Sequence, residues 1–414
     1  MSPTATQLRR RRGSIYFIVL VSTLLVMGMA LAGIDSARGH GREADARIEA
    51  ARAHWLARAS LEHAFGVLNT GSSWRATAQA LNGQLTDATL DRASVRVVAV
   101  DPIDGDLTDN IAEPVVLTST VALGDAVRML QVTANPRYTP VGCLLSTLHS
   151  HANITFTSST VEGDGLAFAG GAASASLASV KIRVLAVGAV SGGSYQRGLL
   201  ADADARSMPA NNLFATYAAG ARVITFNSIP GGRLELAVLS PGLNPYGTAS
   251  TNGVYLIDTR GATLIIRNAR IAATLVVIGN VRLEDSVSFQ PPGAALPSLL
   301  VAGTLEIRTS STSLSESTLA RNFNPANAPF AGVSDTDQLD TYPSELRGLF
   351  YASGTTTLDG SVRIIGLLIA TANLEVRQSA SFTYDPAYAA NPPAGFRERL
   401  LFEPERGSWA QTVR

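Results

Sequence analysis

RIAATLVVIGNVRLEDSVSF, Arg270 to Phe289, returns 93 residues later as RIIGLLIATANLEVRQSASF, Arg363 to Phe382. The two stretches align without a gap and share seven residues: Arg270/Arg363, Ile271/Ile364, Leu275/Leu368, Asn280/Asn373, Ser286/Ser379, Ser288/Ser381 and Phe289/Phe382. A third copy stands between them. LLVAGTLEIRTS, Leu299 to Ser310, follows Leu275–Ser286 at an offset of 24 and precedes Leu368–Ser379 at an offset of 69. Within a copy the apolar residues alternate, as Leu275, Val277, Val281 and Leu283 do, or Leu299, Val301, Leu305 and Ile307. That is the period of a strand with one face inward. Short strands that recur at the shorter offset, with polar corners, suit one turn of a parallel β-helix, with Leu275 over Leu299 and Leu283 over Ile307. The longer interval then holds about three coils' worth of chain. Part of it, 311–346, is rich in Asn, Pro, Asp and Ser and reads as a looped-out insertion. A β-sandwich with two similar hairpins is the alternative.

Outward from the repeat, glycine, serine, threonine and short β-branched runs continue across 140–395 without an amphipathic helix of four turns. This stretch is expected as one mainly-β domain, with 396–414 as a C-terminal tail. Before it, Ala93–Val100, Pro114–Leu123 and Ala126–Ala134 read as strands, the last two joined by a tight turn at Gly124-Asp125. Asn135, Pro136 and Pro140 mark the boundary.

The N-terminal reading is independent of the repeat. Arg9 to Arg12 form a basic run, and Ser14 to Ile34, SIYFIVLVSTLLVMGMALAGI, is uncharged until Asp35. Twenty-one residues at ~1.5 Å each span a hydrocarbon core of ~30 Å. No polar stripe marks this segment as the core helix of a soluble protein. The positive-inside rule leaves the arginines cytoplasmic and the rest of the chain outside, across the inner membrane. A cleavable signal peptide ending at Ala30-Leu31-Ala32 competes with a retained anchor. The apolar stretch is longer than a usual signal core of ~7–15 residues. Helical character also continues from Gly41 to Leu68, with Ile48, Ala51, Trp55 and Ala59, then Leu61, Phe65 and Leu68, at helical spacing. Glu43/Arg47 and Arg58/Glu62 add opposite charges four apart. A retained anchor running on as one rod is the reading we adopt.

Gly13 at the end of a basic leader, the apolar segment after it, and AARAHWLARASLEHAF (Ala50 to Phe65) resemble the N-terminus of type IV pilin-like proteins, especially PilX-type minor pilins. The match runs from the leader to near Thr70. The resemblance implies cleavage after Gly13 by a prepilin peptidase, freeing Ser14, and assembly with other pilin-like subunits. Most pilins carry glutamate at the fifth mature position; here that residue is Ile18, and PilX-type members often lack the glutamate as well. The domain at 140–395 looks diffusely like bactofilin-type and PilX-associated β-solenoids. A bactofilin proper is cytoplasmic, which conflicts with the topology of the anchor. The expected fold class is α+β: a leader at 1–13, a transmembrane helix at 14–34, a helix packed on a small antiparallel sheet to 139, then a mainly-β domain read as a parallel β-helix.

Thirty-three basic and thirty-three acidic residues cancel, so the excess of positive charge that sequence-independent nucleic-acid binding needs is missing, and no nucleic-acid partner is expected. Cys143 is the only cysteine, which excludes an internal disulfide and a multi-cysteine zinc site. No GxSxG, phosphate loop or HExxH occurs, and the glycines at Gly170-Gly171 and Gly192-Gly193 read as turns. His149 and His151 would share a strand face and could grip a metal, but no third ligand lies near, and an exposed polar pair is the plainer reading. Asp101, Asp104, Asp106 and Asp109 crowd into DPIDGDLTDN, where Gly105 permits a sharp turn. Hard oxygens grouped in this way can bind calcium, although the EF-hand spacing is absent and a solvated loop is the alternative. Asp335, Asp337 and Asp340 form a similar acidic stretch.

The expected function is non-enzymatic, with no catalytic residues and no cofactor beyond that calcium loop. The chain reads as a component of a type IV pilus or a type II secretion-type assembly, carrying a β-solenoid for adhesion or assembly. The alternative is a membrane-tethered or secreted β-helical protein that binds or degrades polysaccharide. On a β-helix that would call for facing carboxylates or a stacking surface of aromatics.

Overall fold

A computed structural model gives the fold and describes residues 6–412 apart from 72, 91, 158 and 294. The first five residues of the 1–13 leader therefore lie outside the described residues. The chain divides into two compact units, one formed by Met1–Arg137 with Leu400–Arg414 and the other by Tyr138–Arg399.

In the first unit a single helix, α1, runs from Thr6 to Thr70 and includes Gly13 and Ser14. No proline interrupts it, and exposed ion pairs Glu43–Arg47 (2.6 Å) and Arg58–Glu62 (3.3 Å) bridge successive turns. Such pairs contribute only a few tenths of a kcal/mol each. From Ile15 to Ile34 the apolar side chains are bare, and this stretch is long and apolar enough to cross a membrane. Farther on one stripe becomes buried: Ala53, Ala57, Leu61, Ala64 and Leu68. Four turns of small or aliphatic side chains let the helix lie close on a sheet. Ile48, Ala51, Trp55 and Ala59, which share helical spacing, do not form the buried stripe and face solvent instead. The bulk of Trp55 and Ile48 would hold the sheet off, whereas alanine lets it approach.

That sheet is an antiparallel meander of β1 (Gln84–Leu90), β2 (Ala93–Val100), β3 (Val115–Leu123) and β4 (Ala126–Pro140). Strict alternation in β2 puts Ala93, Val95, Val97 and Ala99 against α1. The β3–β4 hairpin closes at Gly124-Asp125, with Leu123 opposite Ala126. Ser60 on α1 and the buried Ser119 of β3 meet hydroxyl to hydroxyl at 2.7 Å. The described part of the expected 396–414 tail, up to residue 412, is built into the sheet. Arg397–Pro404 lies beside β4 in the sheet, and Ala410–Thr412 pairs antiparallel with Met129–Gln131. Alternating apolar residues such as Leu400 and Phe402 carry the strand signal, and β4 offers them an otherwise open edge.

The second unit is mainly β. Among the described residues its large sheet contains 18 strands, and the pairings described within it are parallel. The sequence repeat appears as register. Leu275 pairs with Leu299, and Leu283 with Ile307. Leu299 then pairs with Phe350, and Phe350 with Leu368. A single row, Leu346–Ala352, thus stands between the second and third copies, where the length of chain would allow about three coils. The difference is the 311–346 insertion, which takes up most of the interval. Chain order is not spatial order either: Leu148, at the start of the unit, pairs with Leu368 near its end. Inward residues Leu275, Val277, Leu283, Leu299, Ile307, Phe350, Ile364 and Leu368 share one large core.

Runs such as Leu275–Val277 and Leu299–Val301 are buried at every residue, not at alternate ones. Their outer face is covered by Val141, Leu144, Leu213, Tyr217, Tyr388 and Phe396, a second apolar layer. A strand covered on both faces reads as a continuous apolar run. Elsewhere the outer face is charged, with Arg282 opposite Glu306 in register at 2.5 Å. The insertion has its own small core of Leu314, Phe323, Ala328 and Tyr342, joined by Val238. Arg270, almost fully buried, donates to the carbonyls of Phe323, Ala328 and Pro329, each at 2.7 Å. Three charge-assisted bonds to backbone thus fix the insertion to the first copy of the repeat.

Candidate functional site

The acidic loop, residues 101–113, joins β2 to β3 and is shaped by local bonds. Asp101 Oδ1 accepts from Ile103 N at 2.7 Å, and Asp104 Oδ1 from Asp106 N at 2.9 Å. Gly105 adopts φ +86°, a left-handed turn that glycine takes without strain. Beneath the loop the buried Arg75 donates to the carbonyls of Leu107 (2.9 Å), Ile111 (3.2 Å) and Glu113 (3.0 Å). Its guanidinium also lies over the Trp74 ring at 4.9 Å. Burial lowers the Arg75 pKa, against the opposing pull of Asp101, Glu113 and Asp109.

Three of the four expected aspartates converge. Asp101, Asp104 and Asp109 each bring a carboxylate oxygen within 4.8 Å of one another, and the fourth member is Glu113. Asp106 is not a member; its Oδ1 accepts from Thr108, which donates from N (2.8 Å) and from Oγ1 (2.7 Å). Those two bonds hold its carboxyl below the usual range. Sequence spacing does not pick out Glu113, which stands beyond the Asp-rich run, just before β3. Burial first, then the neighbouring Asp101 carboxyl and the charge of Asp109, push the Glu113 carboxyl up, while a bond from Asn110 opposes them. The arrangement offers four hard oxygens and no nitrogen or sulfur, a donor set for a cation such as calcium.

A second acidic group forms in the insertion from Glu316, Asp335 and Asp340. Asp337 is not part of it; its carboxylate accepts from Leu339 N. Here the carboxylates are served by protein donors. Glu316 accepts from Phe323 N, Tyr342 Oη and Asp340 N, and Asn324 Nδ2 donates to both Asp335 and Asp340 at 3.1 Å.

The histidines separate. His151 is exposed, but His149 is fully buried, stacked on Phe168 at 5.1 Å with planes 10° apart. The two do not form an exposed polar pair. The strand of His149 belongs to the doubly covered part of the sheet, where Arg206 also lies over Phe168 at 4.6 Å. Burial, then the charges of Arg206 and His151, lower the His149 pKa to about 3.

Another outward-facing feature of the second unit is a groove of about 600 Å³ lined largely by hydroxyls, including Ser311, Ser344, Ser361 and Ser379, with Glu162 and Arg363 at its wall.

No protein-family model matches the chain, and no curated protein does. Among solved structures, the competence-associated pilin ComZ from Thermus thermophilus is similar at 10% identity and a TM-score of 0.29, over 88% of this chain and 98% of that one. An ice binding protein from an Antarctic Biological Consortium follows at 14% identity and a TM-score of 0.26, over 59% of this chain and 91% of that one. An ice-binding protein from the Antarctic ascomycete Antarctomyces psychrotrophicus shows 11% identity and a TM-score of 0.21, over 59% and 98%. At these scores none of the three fixes a fold or an activity for this chain.

Proposed function

We propose that this chain is a non-enzymatic, pilin-like protein of the inner membrane, a minor component of a type IV pilus or type II secretion-type assembly. One observation carries the reading. A single unbroken helix is bare and apolar from Ile15 to Ile34, then buries Ala53, Ala57, Leu61, Ala64 and Leu68 against an antiparallel sheet. A signal peptide has no reason to be continuous with a packed helix. An anchor that transmits its position to a folded head does.

On this reading the basic leader stays cytoplasmic, a prepilin peptidase cuts between Gly13 and Ser14, and the exposed helix face meets other pilin-like subunits. The exposed Trp55 and Ile48 extend that face beyond the membrane segment. The second unit is then a parallel β-helix of the PilX-associated, bactofilin-like kind, used for adhesion or assembly. Its support is the parallel register that sets Leu299 on Leu275 and Ile364 on Leu346. The hydroxyl-lined groove favours a second reading, a β-helical polysaccharide-binding or polysaccharide-degrading protein, because six of its lining residues are serines.

Cysteine crosslinking tests the first reading. Cys143 is fully buried, and burial raises its thiol pKa, so an introduced cysteine would be the reactive one. Ile18→Cys and Leu25→Cys in native membranes are expected to crosslink to pilin-like subunits. Absence of any crosslink, together with turnover of glycan by the 35–414 fragment, would replace this reading with the second.

A further inference from the structure

We propose that the 101–113 loop binds one calcium ion between Asp101, Asp104, Asp109 and Glu113. Four carboxylates held within 4.8 Å repel one another, so something must keep them there. The backbone does part of this. Arg75 ties three carbonyls of the loop, and Asx turns fix Asp101 and Asp104. The guanidinium donors of Arg75 go to backbone oxygens, so its charge attracts Asp101, Glu113 and Asp109 without giving any of their carboxylate oxygens a donor.

What remains is a specific deficit. Asp101 is only 3% exposed, and its Oδ2 has no hydrogen-bond donor. Glu113 is in the same position: Oε1 accepts from Asn110 at 3.0 Å, while Oε2 is shielded and has no donor. Two shielded carboxylate oxygens in one cluster are stable with a shared proton or a shared cation. A proton would serve that pair alone and would leave Asp104 and Asp109 crowded against it. A cation serves all four. Carboxylate oxygens without nitrogen or sulfur match calcium, and the exposed Asp104 and Asp109 leave room for the waters that complete six to eight ligands.

The insertion supplies an internal contrast. Glu316, Asp335 and Asp340 sit equally close, yet amides, a tyrosine and backbone N–H groups serve them. The unpartnered atom there is an amide oxygen, Asn324 Oδ1. That cluster is satisfied by protein donors; the 101–113 cluster is not. The inference rests on the geometry of the first unit alone and holds whether or not the chain assembles with pilin-like subunits.

The test uses the full chain in detergent, stripped with chelator and titrated calorimetrically with calcium chloride, with thermal unfolding followed in chelator and in millimolar calcium. The wild type is expected to bind one calcium and to unfold at a higher temperature when calcium is present. Asp101→Asn should weaken binding by about tenfold or more. In chelator the same variant should melt at or above the wild type, because it removes like-charge repulsion, and in calcium the order should reverse. Asp106→Asn should bind as the wild type does. The proposal is overturned if the wild type gives no saturable heat, or if Asp101→Asn lowers the melting temperature equally in both conditions. It is overturned also if binding survives in Asp101→Asn/Glu113→Gln and disappears in Asp335→Asn.

Discussion

The side-chain amide of Asn69 bonds to both backbone groups of Phe402: Nδ2 donates to the Phe402 carbonyl at 3.1 Å, and Phe402 N donates to Oδ1 at 2.7 Å. The C-terminal end of α1 is therefore held by a strand 333 residues away in the chain. Phe402 packs edge-on to Trp74 at 5.7 Å and closes the core of the first unit.

Asn69→Ala leaves two backbone groups of Phe402 unpaired and is expected to destabilise the first unit by about 1–3 kcal/mol. Removing Leu400–Arg414 also strips Phe402 from the core and should cost more. Chemical unfolding followed by circular dichroism would show both. Equal stability of the truncated chain would mean that the C-terminal strands decorate the sheet and do not complete it.

His149 makes the second unit sensitive to acid. Its folded pKa of about 3 lies below the ordinary value of 6.5. Above pH 6.5 the ring is neutral in both states and there is no penalty. As pH falls from 6.5 towards 3, the unfolded chain takes up a proton that the folded one refuses, and stability is lost. At pH 5 the loss should be about 2 kcal/mol. His149→Leu should flatten this part of the stability–pH curve, which urea unfolding at pH 8 and pH 5 would resolve.

Arg270→Met removes all three bonds to the carbonyls of Phe323, Ala328 and Pro329. Those oxygens then lose charged partners, and the 311–346 insertion should be held less firmly by several kcal/mol. Limited proteolysis should cut the variant within the insertion first, with the repeat strands intact.

Gly366 and Gly348 are paired in neighbouring strands, Gly366 with φ +137°. A Cβ on Gly366 would stand 2.0 Å from the Gly348 carbonyl oxygen, which is backbone and cannot move aside. Gly366→Ala should lower the melting temperature of the second unit by several degrees. Gly293→Ala, with no heavy atom within 4 Å of the new methyl, should leave it unchanged.

Much of this was legible because it is periodic or local. The offset that links Leu275 to Leu299 in the sequence became a register pair, since like inward residues stack only in that alignment. The hairpin at Gly124-Asp125 depended on a few adjacent residues. The bare helix over Ile15–Ile34 followed from composition. What escaped is non-local. Nothing in one strand announces that Leu148 will pair with Leu368, or that Leu213, Tyr217 and Tyr388 will cover the outer face of the sheet where His149 is also buried. The acidic loop shows the limit most plainly. The run of aspartates groups Asp106 with Asp101, Asp104 and Asp109, but in the fold Asp106 bonds to Thr108 and stands outside the cluster, which Glu113 joins from the approach to the next strand.

The central claim is that α1 is the retained, processed anchor of a pilin-like protein. Mass spectrometry of the mature N-terminus, on protein isolated from its native membranes, tests it most directly. The account predicts a chain beginning at Ser14. A chain beginning at Gly33, freed from its apolar segment, or one retaining the leader intact, would contradict it.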